Sequence, residues 1–303
     1  MSREIEEPTT SHEPNPGLVE RIFDTGEVSL NYAEGPQNGP PLVLLHGLGR
    51  RWQVFLPIIP AFSLRWHIFI PDLRGHGKSS HVARGYRGPQ FSGDIAKLLR
   101  ERIGKPAVLF GHSLGGMLAM SIASTHGDLV RALVLGDNMI VGRDLRHPMY
   151  TALFAGLRDA ARTGGSVEHI AKQIGSIILP VPGTSESLAI RELPGNDEPY
   201  LLAWARCVQM VDPETYEMTL DGSSLEGWDG EKVLREINCP TLLLQGAPQM
   251  GGLMSDSDAA LAARILPHHA HVKFKNLGHA LFIQQPEPVP RAVTNFLESL
   301  ELS

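Results

Sequence analysis

A chain of 303 residues that is 42% hydrophobic and 20% charged has an ordinary globular composition, and it is long enough to bury a large core as one domain or one domain with an insertion. A net charge of −6 argues against nucleic acid or an anionic membrane surface as partner, and no apolar run approaches the roughly 20 residues needed to span a bilayer. Two cysteines, Cys207 and Cys239, exclude a disulfide scaffold.

Residues 1–17 are polar and acidic with Pro8, Pro14 and Pro16, which reads as a disordered lead-in without a signal segment and makes the cytoplasm the expected compartment. Arg21 to Asp24 and Val28 to Tyr32 read as short strands around a Thr25-Gly26-Glu27 turn. Leu42 to Leu45 is a solid apolar strand, ending in His46-Gly47-Leu48-Gly49, whose lack of alternation suits a strand covered on both faces. Trp52 to Phe62 reads as a helix, Trp66 to Pro71 as the next strand, and Phe91 to Ile103 as a helix stopped by Gly104.

The apolar run Ala107 to Phe110 feeds Gly111-His112-Ser113-Leu114-Gly115-Gly116, and helical spacing follows from Met117 to about His126. This is the G-x-S-x-G elbow in its proper context of strand, turn and helix, with Ser113 as a candidate nucleophile. Glycines two positions either side let strand and helix approach closely while the serine backbone is held strained. A strand at Ala132 to Leu135 ends at Gly136-Asp137. From 138 to 236 only helical patterns appear, and strand rhythm returns at Thr241 to Gly246 and His271 to Phe274, with helices near Asp258 to Leu266 and Val289 to Leu300. The alternation predicts a mostly parallel, doubly wound α/β sheet with its site at the carboxyl ends of the strands. The core covers residues 18–137 and 237–303, and a helical cap over 138–236 is inserted after the sixth core strand.

Four motifs carry a resemblance: His46-Gly47-Leu48-Gly49, Asp72-Leu73-Arg74-Gly75-His76-Gly77-Lys78-Ser79, the elbow, and Gly278-His279. Together and in this order the chain resembles the α/β-hydrolase superfamily, in its capped esterase- and lactonase-like branch, from about residue 20 to the end apart from the insertion. The resemblance implies His279 as general base for Ser113, because histidine comes last in that fold. It also implies an oxyanion hole from the backbone amides of Leu48 and Leu114. Relatives carry an aspartate shortly after the strand that ends here at Gln245-Gly246, whereas this chain has Gln249 there, and an amide cannot stabilise an imidazolium. Two replacements stand open: Asp137, on a strand where some members place the acid, and Asp256, which also fits the start of a helix.

Asp72, Arg74 and His76 read as holding the loop after their strand. His268, His269 and His271 lack a partner at metal spacing and read as a solvated turn, so no metal is expected. Arg50 and Arg51 are open between meeting an acidic substrate group and lying on the surface. Trp52, Met139, Trp204, Met210 and Trp228 either line an apolar pocket or form cap core, with Trp52, Met139 and Trp204 taken as substrate-binding. The expected activity is cofactor-free hydrolysis of a small-molecule ester or lactone through an acyl-enzyme on Ser113. A carbon–carbon bond hydrolase, a cofactor-free dioxygenase and a non-catalytic ligand receptor of the same fold are the alternatives. Self-association into a homo-oligomer is left open.

Overall fold

The computed structural model describes residues 17–141, 148–180, 185–283 and 285–301, so the expected lead-in lies almost wholly outside the described residues. Among the described residues there are ten strands: β1 (Val19–Asp24), β2 (Ser29–Glu34), β3 (Pro41–Leu45), β4 (His67–Pro71), β5 (Ala107–His112), β6 (Val130–Gly136), β7 (Ile178–Pro180), β8 (Ser187–Ala189), β9 (Thr241–Gln245) and β10 (His269–Lys273). Eight of them form one sheet in the order β1-β2-β4-β3-β5-β6-β9-β10. Within this sheet β2 is the reversed strand, pairing antiparallel with both β1 and β4, while the pairs β4–β3, β3–β5, β5–β6, β6–β9 and β9–β10 are parallel, the architecture of an α/β-hydrolase fold.

The central strands are apolar throughout because both faces are covered. Val43, Leu45, Leu109, Leu133 and Leu135 join one core layer, against α1 (Gly88–Lys97), α2 (Leu114–Thr125) and α8 (Asp256–Ile265). Leu42, Leu44, Val108, Phe110, Ala132 and Val134 face the opposite layer, closed by α9 (Pro288–Glu301). This period-two division is what a strand buried on both sides requires. The segment expected as a helix at Trp52 to Phe62 is instead two single turns, Trp52–Phe55 and Ile59–Ala61. Pro57 and Pro60 remove the amide donors that a longer helix would use.

Between β6 and β9 the chain leaves the sheet and forms α3 (Pro148–Thr163), α4 (Val167–Gly175), α5 (Glu198–Val208), α6 (Glu214–Leu220) and α7 (Gly230–Arg235). Leu157, Ile170, Ile174, Ala205, Val208 and Tyr216 give this block a core of its own. The sequence pattern of helices alone misses the β7–β8 ribbon, whose three-residue strands are too short for alternation to register. The block is pinned to the connection between β4 and α1 by Asp212, whose amide donates to Gly75 O at 2.8 Å and whose carboxylate accepts from Tyr86 Oη at 2.6 Å.

Candidate active site

β5 ends in the elbow. Ser113 has φ of 55° and ψ of −120°, outside the regions an L-residue ordinarily occupies, a local strain held by its surroundings. A Cβ on Gly111 would stand 2.2 Å from Gly115 O, and one on Gly115 would stand 2.1 Å from Leu45 O, so the turn closes only with glycine at both places. α2 begins at Leu114, directly after the serine, leaving its first amides without intrahelical acceptors.

Three side chains from distant parts of the chain meet at this turn. His279 Nε2 lies 3.1 Å from Ser113 Oγ, and His279 Nδ1 lies 2.9 Å from Asp137 Oδ2. Asp137 sits in the tight bend after β6 with φ of 47°, fully buried. Its Oδ1 accepts from the amides of Gly246 at 2.9 Å and Met254 at 3.2 Å, and its Oδ2 from the amide of Leu253 at 2.7 Å. Burial alone would raise the Asp137 pKa, but the hydrogen bond and charge of His279 and the amides of Leu253 and Gly246 outweigh it and hold the carboxyl below its usual range. The loop that carries Gln249 in place of an acid therefore supplies amide donors to a carboxylate from the neighbouring strand. Gln249 itself is exposed.

Asp256 is elsewhere engaged. At the start of α8 it accepts from Lys273 Nζ at 2.5 Å and Gln245 Nε2 at 2.6 Å, with 70% of its side chain exposed.

The loop after β3 lies against the serine: a Cβ on Gly47 would stand 3.0 Å from Ser113 Cβ. Among the described residues, the amides of Leu48 and Leu114 donate to no protein acceptor, and both residues border the same cavity as Ser113. Two buried histidines fix that loop. His76 Nε2 accepts the Gly49 amide at 3.1 Å while its Nδ1 donates to Arg74 O at 2.8 Å, and His46 Nε2 accepts the Leu73 amide at 3.0 Å. Burial pushes His46 down to about 4 and His76 down to about 3, so both stay neutral acceptors. Asp72 ties the same region together, accepting from the Trp52 amide, Asn31 Nδ2 and the Lys78 amide at 2.8, 2.8 and 3.0 Å. Arg74 is wholly buried in a two-pronged pair with Asp94, at 2.6 and 2.8 Å.

His112 is the residue that motif reasoning passes over. Its Nε2–H donates to His279 O at 2.8 Å, and the two rings stack with centroids 4.8 Å apart. Burial, with the neighbouring His279, pushes it down to about 3, so it holds the backbone of His279 as a neutral ring. The variable position of the elbow motif was its only trace in the sequence.

A cavity of about 260 Å³ opens over Ser113, bounded by Met139, Tyr150, Phe154, Leu225 and Trp228 among others. Met139 and Trp228 therefore line it, but Trp52, Trp204 and Met210 do not. The Trp52 indole donates to Glu20 at 2.8 Å and its ring packs on the opposite core layer, because its amide is already drawn toward Asp72. Trp204 lies under the Arg50 guanidinium, 4.3 Å from its ring centre. Arg50 also donates to Tyr200 Oη at 2.8 Å and Arg51 to Met210 Sδ at 3.3 Å, so these arginines clamp the loop after β3 to the inserted block. His269 and His271 turn to Leu266 O and Gln245 Oε1. Among the described residues no group of three or more His, Cys, Asp or Glu side chains is placed to hold a metal ion, and no helix is long and apolar enough to cross a membrane.

The sheet order, the elbow and the late histidine are those of a hydrolase fold, and the chain belongs to that family: residues 40–286 match the alpha/beta hydrolase fold. It is 24% identical over 287 residues to the 2-(acetamidomethylene)succinate hydrolase of Mesorhizobium japonicum, across 93% of this chain and 96% of that protein. It is 27% identical over 271 residues to the pimeloyl-(acyl-carrier protein) methyl ester esterase of Chromobacterium violaceum, across 88% and 98%. The enol-lactonase of Burkholderia xenovorans LB400 superposes with a TM-score of 0.72 at 20% identity, over 92% of this chain and 100% of that one, a likeness of fold.

Proposed function

We propose that the protein is a serine hydrolase that cleaves a carboxylic ester or lactone through an acyl-enzyme on Ser113. The observation that carries this reading is the His279 ring, hydrogen-bonded at once to the buried Asp137 and to the Oγ of Ser113, which borders the cavity. As Ser113 Oγ attacks the carbonyl carbon, its proton passes to His279 Nε2, and Asp137 stabilises the imidazolium through Nδ1–H. The carbonyl oxygen, now carrying the negative charge, takes the Leu48 and Leu114 amides as donors. Collapse expels the alcohol with the proton from Nε2, and a water activated by the same ring then hydrolyses the acyl-enzyme. The inserted helical block acts as a cap, covering the site and shaping what enters it.

Esterases among the similar proteins support this reading. The elbow serine separates the protein from relatives with an aspartate nucleophile at that place. The test is a fluorophosphonate probe together with turnover of p-nitrophenyl acetate. Labelling at Ser113, turnover lost in Ser113→Ala and no oxygen uptake are expected. A site that binds but never turns over, or one that consumes oxygen, would replace the reading with a receptor or a dioxygenase.

A further inference from the structure

The cavity over Ser113 does not end at the reacting centre. Along α2 it is bordered by Leu114, Met117, Leu118, Ser121, Ser124 and Thr125, positions that fall on one face of a helix at spacings of three and four. From Leu114 to Thr125 this stripe is roughly 16 Å long at 1.5 Å rise per residue. The opposite wall includes Phe91 of α1 and Trp228.

In sequence the far half of the stripe looks polar, but the hydroxyls of Ser124 and Thr125 are turned inward to the helix backbone. Ser124 Oγ and Thr125 Oγ1 both donate to Ser121 O, at 2.9 and 2.7 Å. On the other side Thr215 Oγ1 donates to Asp212 O at 2.8 Å and Thr219 Oγ1 to Thr215 O at 3.3 Å. Hydroxyls satisfied in this way leave carbon toward the cavity. The lining is therefore largely carbon well beyond Ser113, its charged members Glu226 and Asp229 being exposed at the border, and the small side chains at 121, 124 and 125 keep it open.

We propose that this channel holds an unbranched apolar chain of the substrate, extended along α2 from the carbonyl at Ser113, with room for about ten carbons. The assignment rests on the ester-hydrolase reading above. The chain belongs either to the acyl group or to the alcohol, and two substrate series separate the two: p-nitrophenyl esters with acyl chains of increasing length, and acetates of straight-chain alcohols of increasing length. In one series kcat/KM should rise about threefold to fourfold per methylene buried, until the chain passes the end of α2, while the other stays flat.

Ser121 lies about 10 Å along the stripe, so Ser121→Phe should move the optimum down to about six carbons. Thr125→Phe, at the more exposed end of α2, should trim the optimum by only a few carbons and serves if the first variant does not fold. Both are read as the ratio of long-chain to short-chain kcat/KM within one variant. Profiles flat or falling from two carbons in both series, or optima unmoved by the variant enzymes, would overturn the channel. Failure of the hydrolase reading itself would show separately, as absent turnover of the shortest ester and no labelling of Ser113.

Discussion

Asp137 and His279 stand 142 residues apart in the chain and 2.9 Å apart in the fold. The strand β6 delivers the carboxylate, and the loop after β9 wraps it with three amides instead of offering an acid of its own. A carboxylate so surrounded is ionised, fixed and aimed at a single ring nitrogen.

The two aspartates that the sequence left open separate by kinetics. Asp137→Asn should lower kcat by about a thousandfold or more, since an amide leaves the imidazolium unstabilised and favours the wrong tautomer. Asp256→Asn loses an exposed pair with Lys273 and should stay within about twofold of the parent enzyme. Steady-state kinetics on p-nitrophenyl acetate decides, and the reverse ranking would move the acid to α8.

His112 positions His279 through its carbonyl. His112→Phe keeps ring packing but removes the donor, and should lower kcat about tenfold to a hundredfold with KM little changed. His112→Gln, which retains an N–H in reach, should recover part of the loss. Equal losses in both variants, or a loss confined to KM, would show that only the packing matters.

Stability should fall on mild acidification. His46, His76 and His112 are held by burial at about 4, 3 and 3 against an ordinary 6.5. Below pH 6.5 the unfolded chain takes up protons that the folded chain refuses, so this contribution is complete above that pH and drains away toward pH 3–4. Urea midpoints measured from pH 7.5 down to 4.5 should decline steadily, and a flat profile would contradict neutral buried rings.

The buried Arg74–Asp94 pair holds the loop after β4. Arg74→Ala should cost about 3–5 kcal/mol, because it leaves Asp94 buried without its partner, and Asp94→Ala should be costly for the converse reason, while Arg74→Met with Asp94→Leu should cost less than either single truncation. Chemical denaturation of the three variants tests the ordering.

The alternating strands, the elbow and the late histidine were legible in sequence because each is a local pattern with a backbone requirement behind it. The strain at Ser113 and the close contacts at Gly111 and Gly115 are written directly as glycines around a serine. Asp137 was only half legible. Its role depends on three amides from a loop more than a hundred residues away, and no local pattern records that. Trp52 and Trp204 look like cavity aromatics by type, but their places were decided by Asp72, Glu20 and Arg50, partners that only the folded chain brings near. The hydroxyls of Ser124 and Thr125 mislead in the same way, reading as polar while spending their polarity on the helix.

In the proposed reaction Ser113 carries the acyl group. Acid quenching during steady turnover of a p-nitrophenyl ester, followed by mass analysis of the peptide containing residue 113, measures this directly. The mass of that peptide should increase by one acyl group, and the increase should vanish in Ser113→Ala. An unmodified peptide under continuing turnover, with the alanine variant still active, would show that Ser113 is not the nucleophile.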